Sequence, residues 1–142
     1  MSTNNAMMMK NFLGMLVLVT ILASCSADEP QKFSLKVLPV ESYILPDTLI
    51  LGETQTFKIK YKRPSNCHYF EGFYYKKNLN QRTIGITTSV LQENCQPLMG
   101  TPIEVELKFF TSNTGNYIFK FFKGEDAAGN NVYESISVPV KN

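Results

Sequence analysis

The sequence contains no tryptophan and only one histidine, His68, in 142 residues. Most general-base and nucleophilic catalysis depends on histidine. The chain also lacks a nucleophile-elbow pattern, a phosphate-binding glycine loop and an HExxH run. We therefore expect no enzyme activity and no cofactor. The alternative is a hydrolase that uses carboxylates alone, since acid pairs such as Glu104 and Glu106 can perform glycosidase-type chemistry.

An excess of charge of either sign is also missing. Fourteen Lys and Arg residues stand against twelve Asp and Glu residues, a formal net charge of +2. Such a balance gives no general attraction for nucleic acid, so we expect no nucleic-acid partner. The lysine row Lys58, Lys60 and Lys62 is expected to face the acidic row Glu104 and Glu106 on a neighbouring strand. Opposite charges across strands contribute roughly 0.2–1 kcal/mol per pair.

The apolar run near the N-terminus is too short to span a membrane. It covers residues 11–23, NFLGMLVLVTILA, behind the single charge of Lys10, whereas a spanning helix needs about 20 apolar residues. A short apolar run behind a positive charge and before small residues is typical of a secretory signal peptide. We therefore predict that residues 1–24 form a signal-peptide helix that is removed from the mature protein.

A cysteine follows this run in the sequence Leu22-Ala23-Ser24-Cys25. These four residues resemble the lipobox of bacterial lipoproteins, a hydrophobic residue and two small ones before an invariant cysteine. The resemblance implies that Cys25 is lipidated and that residues 25–32 form an acylated flexible tether to a membrane. Ser26, rather than aspartate, after the cysteine fits sorting to the outer membrane, on its periplasmic or surface face. The alternative is a plain secretory signal with an accidental cysteine near the cleavage site.

No helical apolar stripe of convincing length follows the tether. Apolar and polar residues instead alternate with period two between turn residues, which predicts half-buried strands. The predicted strand regions are Phe33–Val37, Thr56–Lys62, Cys67–Lys76, Thr83–Leu91, Ile103–Phe109, Asn116–Phe122 and Tyr133–Val140. About seven strands with turn signals between them predict a single all-β sandwich over residues 33–142.

The segment Thr114–Phe119, TGNYIF, carries a more specific resemblance. It resembles the corner before strand F in immunoglobulin-like and fibronectin-III-like sandwiches, where a tyrosine hydroxyl bonds to upstream backbone. The resemblance implies that role for Tyr117, within an Ig-like antiparallel sandwich. Phe119 stands where an immunoglobulin domain has its second cysteine.

Two further cysteines, Cys67 and Cys95, remain once Cys25 is assigned to lipid. Thiols are oxidised outside the cytoplasm, so this pair predicts a disulfide. The alternative is two free thiols, one of which binds a metal with His68. Zinc requires three or four converging ligands, which this pair of neighbours does not supply, so we expect no metal site.

The polar segment Gly124–Asn131 lies between the last two predicted strands. Its oxygen-bearing side chains could hold calcium loosely, but they lack the alternating spacing of a calcium loop. A hairpin turn with positive φ at Gly129 or Asn130 is the favoured interpretation.

Five aromatic residues crowd one predicted strand, and they are Tyr69, Phe70, Phe73, Tyr74 and Tyr75. Strand alternation predicts Tyr69, Phe73 and Tyr75 on one side and the other two on the opposite side. The segment is either core that also packs on a neighbour, or an exposed platform for a carbohydrate or a partner protein. We expect a binding or accessory module anchored to the cell envelope. A structural envelope spacer is the alternative.

Overall fold

The computed structural model describes residues 32–92 and 94–142. The predicted signal-peptide helix, Cys25 and the tether up to residue 31 lie outside the described residues. Residues Lys32–Asn142 form one compact unit. Nine strands account for its regular structure: β1 Phe33–Leu38, β2 Ser42–Ile44, β3 Leu49–Ile50, β4 Thr54–Tyr61, β5 His68–Asn78, β6 Gln81–Leu91, β7 Ile103–Phe110, β8 Asn116–Glu125 and β9 Asn131–Lys141.

The strands form two sheets, one of six strands and one of three. In the larger sheet β6 pairs with β5 along one edge and with β1 and β8 along the other, and β9 and β3 follow β8. The smaller sheet has the order β2-β4-β7. The predicted all-β sandwich is therefore confirmed, and the structure has a strand at each of the seven predicted regions. The additional β2 and β3 are three and two residues long, too short to show an alternation in the sequence.

The expectation of antiparallel pairing throughout is wrong for two strand pairs. Strands β3 and β9 are parallel, and so are β6 and β8, whose register runs from Gln81 opposite Ile118 to Ile84 opposite Phe121. The second case arises because β5 occupies the sheet edge and its hairpin partner β6 lies next to β8. Strand β6 runs opposite to its hairpin partner β5 and in the same direction as β8.

A core rich in aromatic residues fills the space between the sheets. Its fully buried members include Phe57 and Ile59 of β4, and Phe119 of β8. The ring centroid of Phe57 lies 5.3 Å from that of Phe109 and 5.1 Å from that of Phe119. Aromatic pairs at these separations add attraction beyond the area they bury. Since the chain has no tryptophan, phenylalanine and tyrosine rings form the aromatic part of the core.

Two of the three lysines face the glutamate row as predicted, whereas Lys62 lies beyond β4 and pairs with Glu41 at 2.9 Å. Strands β4 and β7 are neighbours, with Lys58 opposite Glu106 and Lys60 opposite Glu104. Glu104 lies 3.5 Å from the Nζ of Lys58 and 3.6 Å from that of Lys60. These side chains are solvent-exposed, so the ion pairs contribute little to stability. They explain the lysine row without a ligand.

The predicted tyrosine contact is also present. Tyr117 is fully buried, and its hydroxyl oxygen accepts a 3.1 Å hydrogen bond from the backbone N–H of Asn113. Asn80, in the β5–β6 hairpin, binds the same corner because its side-chain nitrogen donates to the carbonyls of Thr114 and Asn116. This corner and hairpin therefore hold one end of the sandwich together.

Candidate functional site

The aromatic strand β5 contains a bulge, and this bulge overturns the predicted division of its side chains. The register passes from Phe70 opposite Thr88 directly to Gly72 opposite Thr87, which leaves Glu71 unpaired. An extra residue reverses the alternation beyond it. Tyr69 and Tyr74 consequently share the outer face of the six-stranded sheet.

The other three aromatic residues of β5, Phe70, Phe73 and Tyr75, share the inner face. Phe73 and Tyr75 are partly buried against the core, and burial raises the pKa of Tyr75 above its ordinary value. Phe70 is partly exposed but lies beside Tyr61 and Phe73, with ring centroids 6.0 and 5.5 Å away. The segment therefore provides both core and surface, and only Tyr69 and Tyr74 contribute to the outer face.

That outer face carries an exposed apolar stripe to which several strands contribute. Phe33 and Leu35 of β1 are 64% and 65% exposed, and Val37 is 41% exposed. The alternation in the sequence predicts that these three residues share one face of β1. In the structure, the other sheet does not cover that face. The three-stranded sheet covers the opposite side of the larger sheet, so this stripe meets solvent. Large exposed apolar areas are uncommon on monomers and often mark interaction sites.

One part of the outer face is a groove between Tyr74 and Tyr133, which we call the tyrosine groove. Two adjoining depressions of about 310 and 230 Å³ share these two side chains. The Phe122 ring lies 5.8 Å from the Tyr133 ring, and the Lys120 Nζ lies 5.2 Å from the Tyr133 ring centroid. The remaining lining residues are Val37, Lys76, Asn78, Gln81, Thr83, Glu125 and Asn131. Flat rings thus alternate with amide, hydroxyl and charged groups.

Gly85 makes the floor of this groove. A Cβ atom at Gly85 would lie only 2.7 Å from Cγ1 of Val37 and about van der Waals distance from the Cβ atoms of Phe122 and Tyr74. A side chain at position 85 would therefore displace Val37, whereas its contacts with Phe122 and Tyr74 would be ordinary. Phe122, Tyr133 and Gly85 are not among the site residues predicted from the sequence. A signal was present, because a glycine inside the β-branched run TIGIT marks a close approach by neighbouring groups.

Apart from the tyrosine groove, a further depression of about 370 Å³ lies at the other end of the outer face. Phe33, Leu35, Tyr69 and Leu91 give it a mostly apolar lining. Its polar wall is formed by Glu71, whose Oε1 lies 2.5 Å from the Oγ of Ser89. This hydrogen bond satisfies the one carboxylate at the site.

The predicted disulfide between Cys67 and Cys95 is confirmed, with Cα atoms 5.4 Å apart. It connects the start of β5 to the segment after β6. The neighbouring His68 is buried, and its Nδ1 lies 2.9 Å from the Oγ of Ser65. Burial lowers the pKa of His68, with a further contribution from the positive charges of Lys36 and Arg63, which favours the neutral ring. These contacts give His68 a structural role.

The polar segment between β8 and β9 is a hairpin turn with Gly129 at φ +82°, as predicted. Its carboxylate, Asp126, accepts hydrogen bonds from the backbone N–H groups of Ala128 and Asn130 at 2.9 and 2.8 Å. The bonds from Asn130 and its neighbours lower the pKa of the Asp126 carboxyl. The Asp126 carboxylate, which a calcium ion would need as a ligand, is therefore hydrogen-bonded within the turn.

Within the part of the chain that the structure describes, no three His, Cys, Asp or Glu side chains converge as metal ligands. The same residues include no helix that is long and apolar enough to cross a membrane. Comparison of this chain with protein families, curated proteins and solved structures finds no match.

Proposed function

We propose that this protein is a cell-envelope lipoprotein whose sandwich domain is a binding module, with a carbohydrate held in the tyrosine groove. The anchor is the acylated Cys25 of the lipobox-like sequence Leu22–Cys25. The outer membrane is the proposed location, because Ser26 rather than aspartate follows the cysteine. Stable attachment requires more than one acyl chain, since a single chain binds membranes only marginally.

The tyrosine groove is the observation that carries the binding proposal. Tyr74 is exposed, and Tyr133 is half-buried with the Lys120 Nζ on one face of its ring. The C–H faces of a sugar can stack on the open parts of these two rings. Polar side chains at its edges, such as Asn78, Gln81 and Asn131, can donate and accept hydrogen bonds with sugar hydroxyls. Binding sites commonly combine apolar rings with a few placed polar groups.

The same surface argues against the two alternative functions. An envelope spacer is expected to be uniformly polar, whereas this domain exposes Phe33, Leu35, Tyr69 and Tyr74 on one sheet face. A carboxylate hydrolase needs two acids that converge in a cleft. The acidic pair considered for this role includes Glu104, which forms ion pairs with Lys58 and Lys60 on the outer side of the other sheet.

The anchor is tested by the substitution Cys25→Ser in the full chain. We expect the unaltered protein in the membrane fraction and labelled with supplied palmitate. The Cys25→Ser protein should lose the label and leave the membrane fraction, because no thiol remains to carry the lipid. Ser26→Ala serves as the matched control and should retain both. A Cys25→Ser protein that stays in the membrane fraction would contradict the anchor.

The binding site is tested on an array of hexose, N-acetylhexosamine and uronic acid oligosaccharides, followed by calorimetry with the best binder. Tyr74→Ala and Tyr133→Ala should each raise the dissociation constant roughly tenfold or more, as expected for central aromatic contacts. Phe110→Ala removes an exposed ring on the other sheet and should leave affinity unchanged. Thermal melts of all three variants control for folding.

A protein ligand is the other outcome that this experiment can reveal. If no oligosaccharide binds but a protein partner does, and Tyr74→Ala weakens that complex, the groove stands and the carbohydrate is excluded. Equal binding by the groove variants and the unaltered protein would contradict the site itself.

A further inference from the structure

A group of exposed apolar side chains lies at the end of the domain where the chain enters from the tether. Phe33 and Leu35 are its most exposed members on β1, and Met99 is fully exposed on the loop before β7. We call this group the tether-end patch, and it consists of Phe33, Leu35, Tyr69, Leu91, Leu98 and Met99.

Backbone contacts place the two parts of this patch at the same end of the sandwich. Phe33 pairs with Leu91 between β1 and β6, and the N–H of Leu91 donates to the carbonyl of Cys67 at 3.1 Å. The disulfide then joins Cys67 to the loop that carries Met99. Further along, the N–H of Leu98 donates to the carbonyl of Pro64 at 3.0 Å. The loop is thus held against the strand ends.

The tether length limits how far this end can lie from the anchor. Eight residue steps separate Cys25 from Phe33 in the sequence. A fully extended chain advances at most about 3.5 Å per residue, so Phe33 lies within about 28 Å of the lipid-bearing residue. A more compact tether would bring it closer. The most exposed apolar part of the domain therefore begins where the tether ends.

We propose that the tether-end patch rests on the membrane that holds the anchor and forms a second, apolar contact with its lipids. This inference rests on the proposed acylation of Cys25, but it goes beyond that function because it orients the domain. The patch combines aliphatic and aromatic side chains, which is typical of surfaces that bury about 5–10 Å into the headgroup and acyl boundary. The tyrosine groove occupies another part of the same face.

Cationic groups beside the patch fit a phospholipid surface. The Arg63 guanidinium carbon lies 5.5 Å from the Tyr69 ring centroid, and Lys32 directly precedes Phe33. Long basic side chains can keep their charge among headgroups while their stems lie along apolar surface. The carboxylate of Glu71 at the patch border is hydrogen-bonded to Ser89. Neutral or anionic headgroups are therefore the matching lipid chemistry.

Because the chain contains no tryptophan, an introduced tryptophan can report directly on whether the patch contacts lipid. Phe33→Trp and Met99→Trp each introduce a single tryptophan, which is excited selectively over tyrosine, into the full acylated protein. Phe110→Trp places the control on the opposite sheet at an exposure similar to that of Phe33. Each protein is reconstituted into vesicles of phosphatidylethanolamine and phosphatidylglycerol, with or without bromine on the acyl chains. We expect a roughly twofold or greater loss of fluorescence for the first two and little change for the control.

A further substitution tests the apolar contact itself. Leu35→Glu, added to the Phe33→Trp protein, should reduce quenching because it places a charge in the patch. Thermal melts should remain unchanged, since Leu35 is solvent-exposed. This comparison separates lipid contact from simple proximity to the vesicle.

The anchor and the patch fail in distinguishable ways. If the unaltered protein does not float with vesicles, the proposed acylation is wrong. If it floats but Phe33→Trp is quenched no more than Phe110→Trp, the anchor stands and the membrane contact is overturned. Changes in tryptophan fluorescence that appear without brominated lipid, and only when the protein is dense on the vesicle, would indicate that a second copy of the chain covers the patch. That result would also overturn the proposal.

Discussion

Replacing Phe119 by alanine is expected to lower the free energy of unfolding by about 3–5 kcal/mol, the usual cost of removing a buried ring. Phe119 is fully buried and lies at the centre of the aromatic core. Its ring centroid lies 5.1 Å from those of Phe57 and Phe109, both on the facing sheet. Removal of this ring therefore leaves a cavity between the sheets. Urea denaturation followed by circular dichroism measures the change.

The neighbouring Ile118 provides a matched control for this prediction. It belongs to the same strand but points to the outer face, where it is 43% exposed. Ile118→Ala should cost less than about 1 kcal/mol, because little apolar area returns to water. Similar losses in the free energy of unfolding for the two variants would contradict the assignment of Phe119 to the inner face of β8 and Ile118 to the outer face.

Removing the disulfide with Cys67→Ala and Cys95→Ala should lower the free energy of unfolding by about 3–4 kcal/mol. The bond joins residues 28 positions apart, so its loss frees a long loop in the unfolded chain. The double substitution leaves Cys25 in place and does not disturb the proposed anchor. Denaturation of the oxidised protein, the reduced protein and the double variant measures the effect.

The loop also has hydrogen bonds that do not depend on sulfur. The N–H of Asn66 donates to the carbonyl of Gln96, and the N–H of Gln96 donates to the side-chain oxygen of Asn66 at 2.8 Å. If the double variant loses less than about 1 kcal/mol, these bonds hold the segment and the disulfide is dispensable. Reduction of the unaltered protein should give the same loss as the substitutions.

The strand regions could be predicted because the information is local. Phe57, Ile59 and Tyr61 alternate with lysines, and the structure buries all three in the core. The facing charges on the strands of Lys58 and Glu104 were predicted from strand order in a sandwich. The Tyr117 hydrogen bond was implied by the resemblance of Thr114–Phe119 to the corner of Ig-like sandwiches. The disulfide followed from the two cysteines that remain once Cys25 is assigned to lipid, in the predicted extracytoplasmic compartment.

The site was less predictable because it depends on contacts between distant segments. Alternation groups Phe33, Leu35 and Val37 on one face, but it does not say whether another sheet covers that face. The bulge at Glu71 has only Gly72 as a sequence signal, yet it moves Tyr69 to the same outer face as Tyr74. The tyrosine groove brings β5 together with β8 and β9, which no local pattern indicates.

By itself the sequence determined the alternation of each long strand, the paired cysteines and the lipobox resemblance at Cys25, because each depends on neighbouring residues or on residue counts. Only the tertiary structure decided which sheet face is covered and which stays open. The physical reason is that a three-stranded sheet can bury just one side of the six-stranded sheet. The apolar side chains on the other side are therefore left exposed, and there we propose a bound ligand and, at the tether end, lipid.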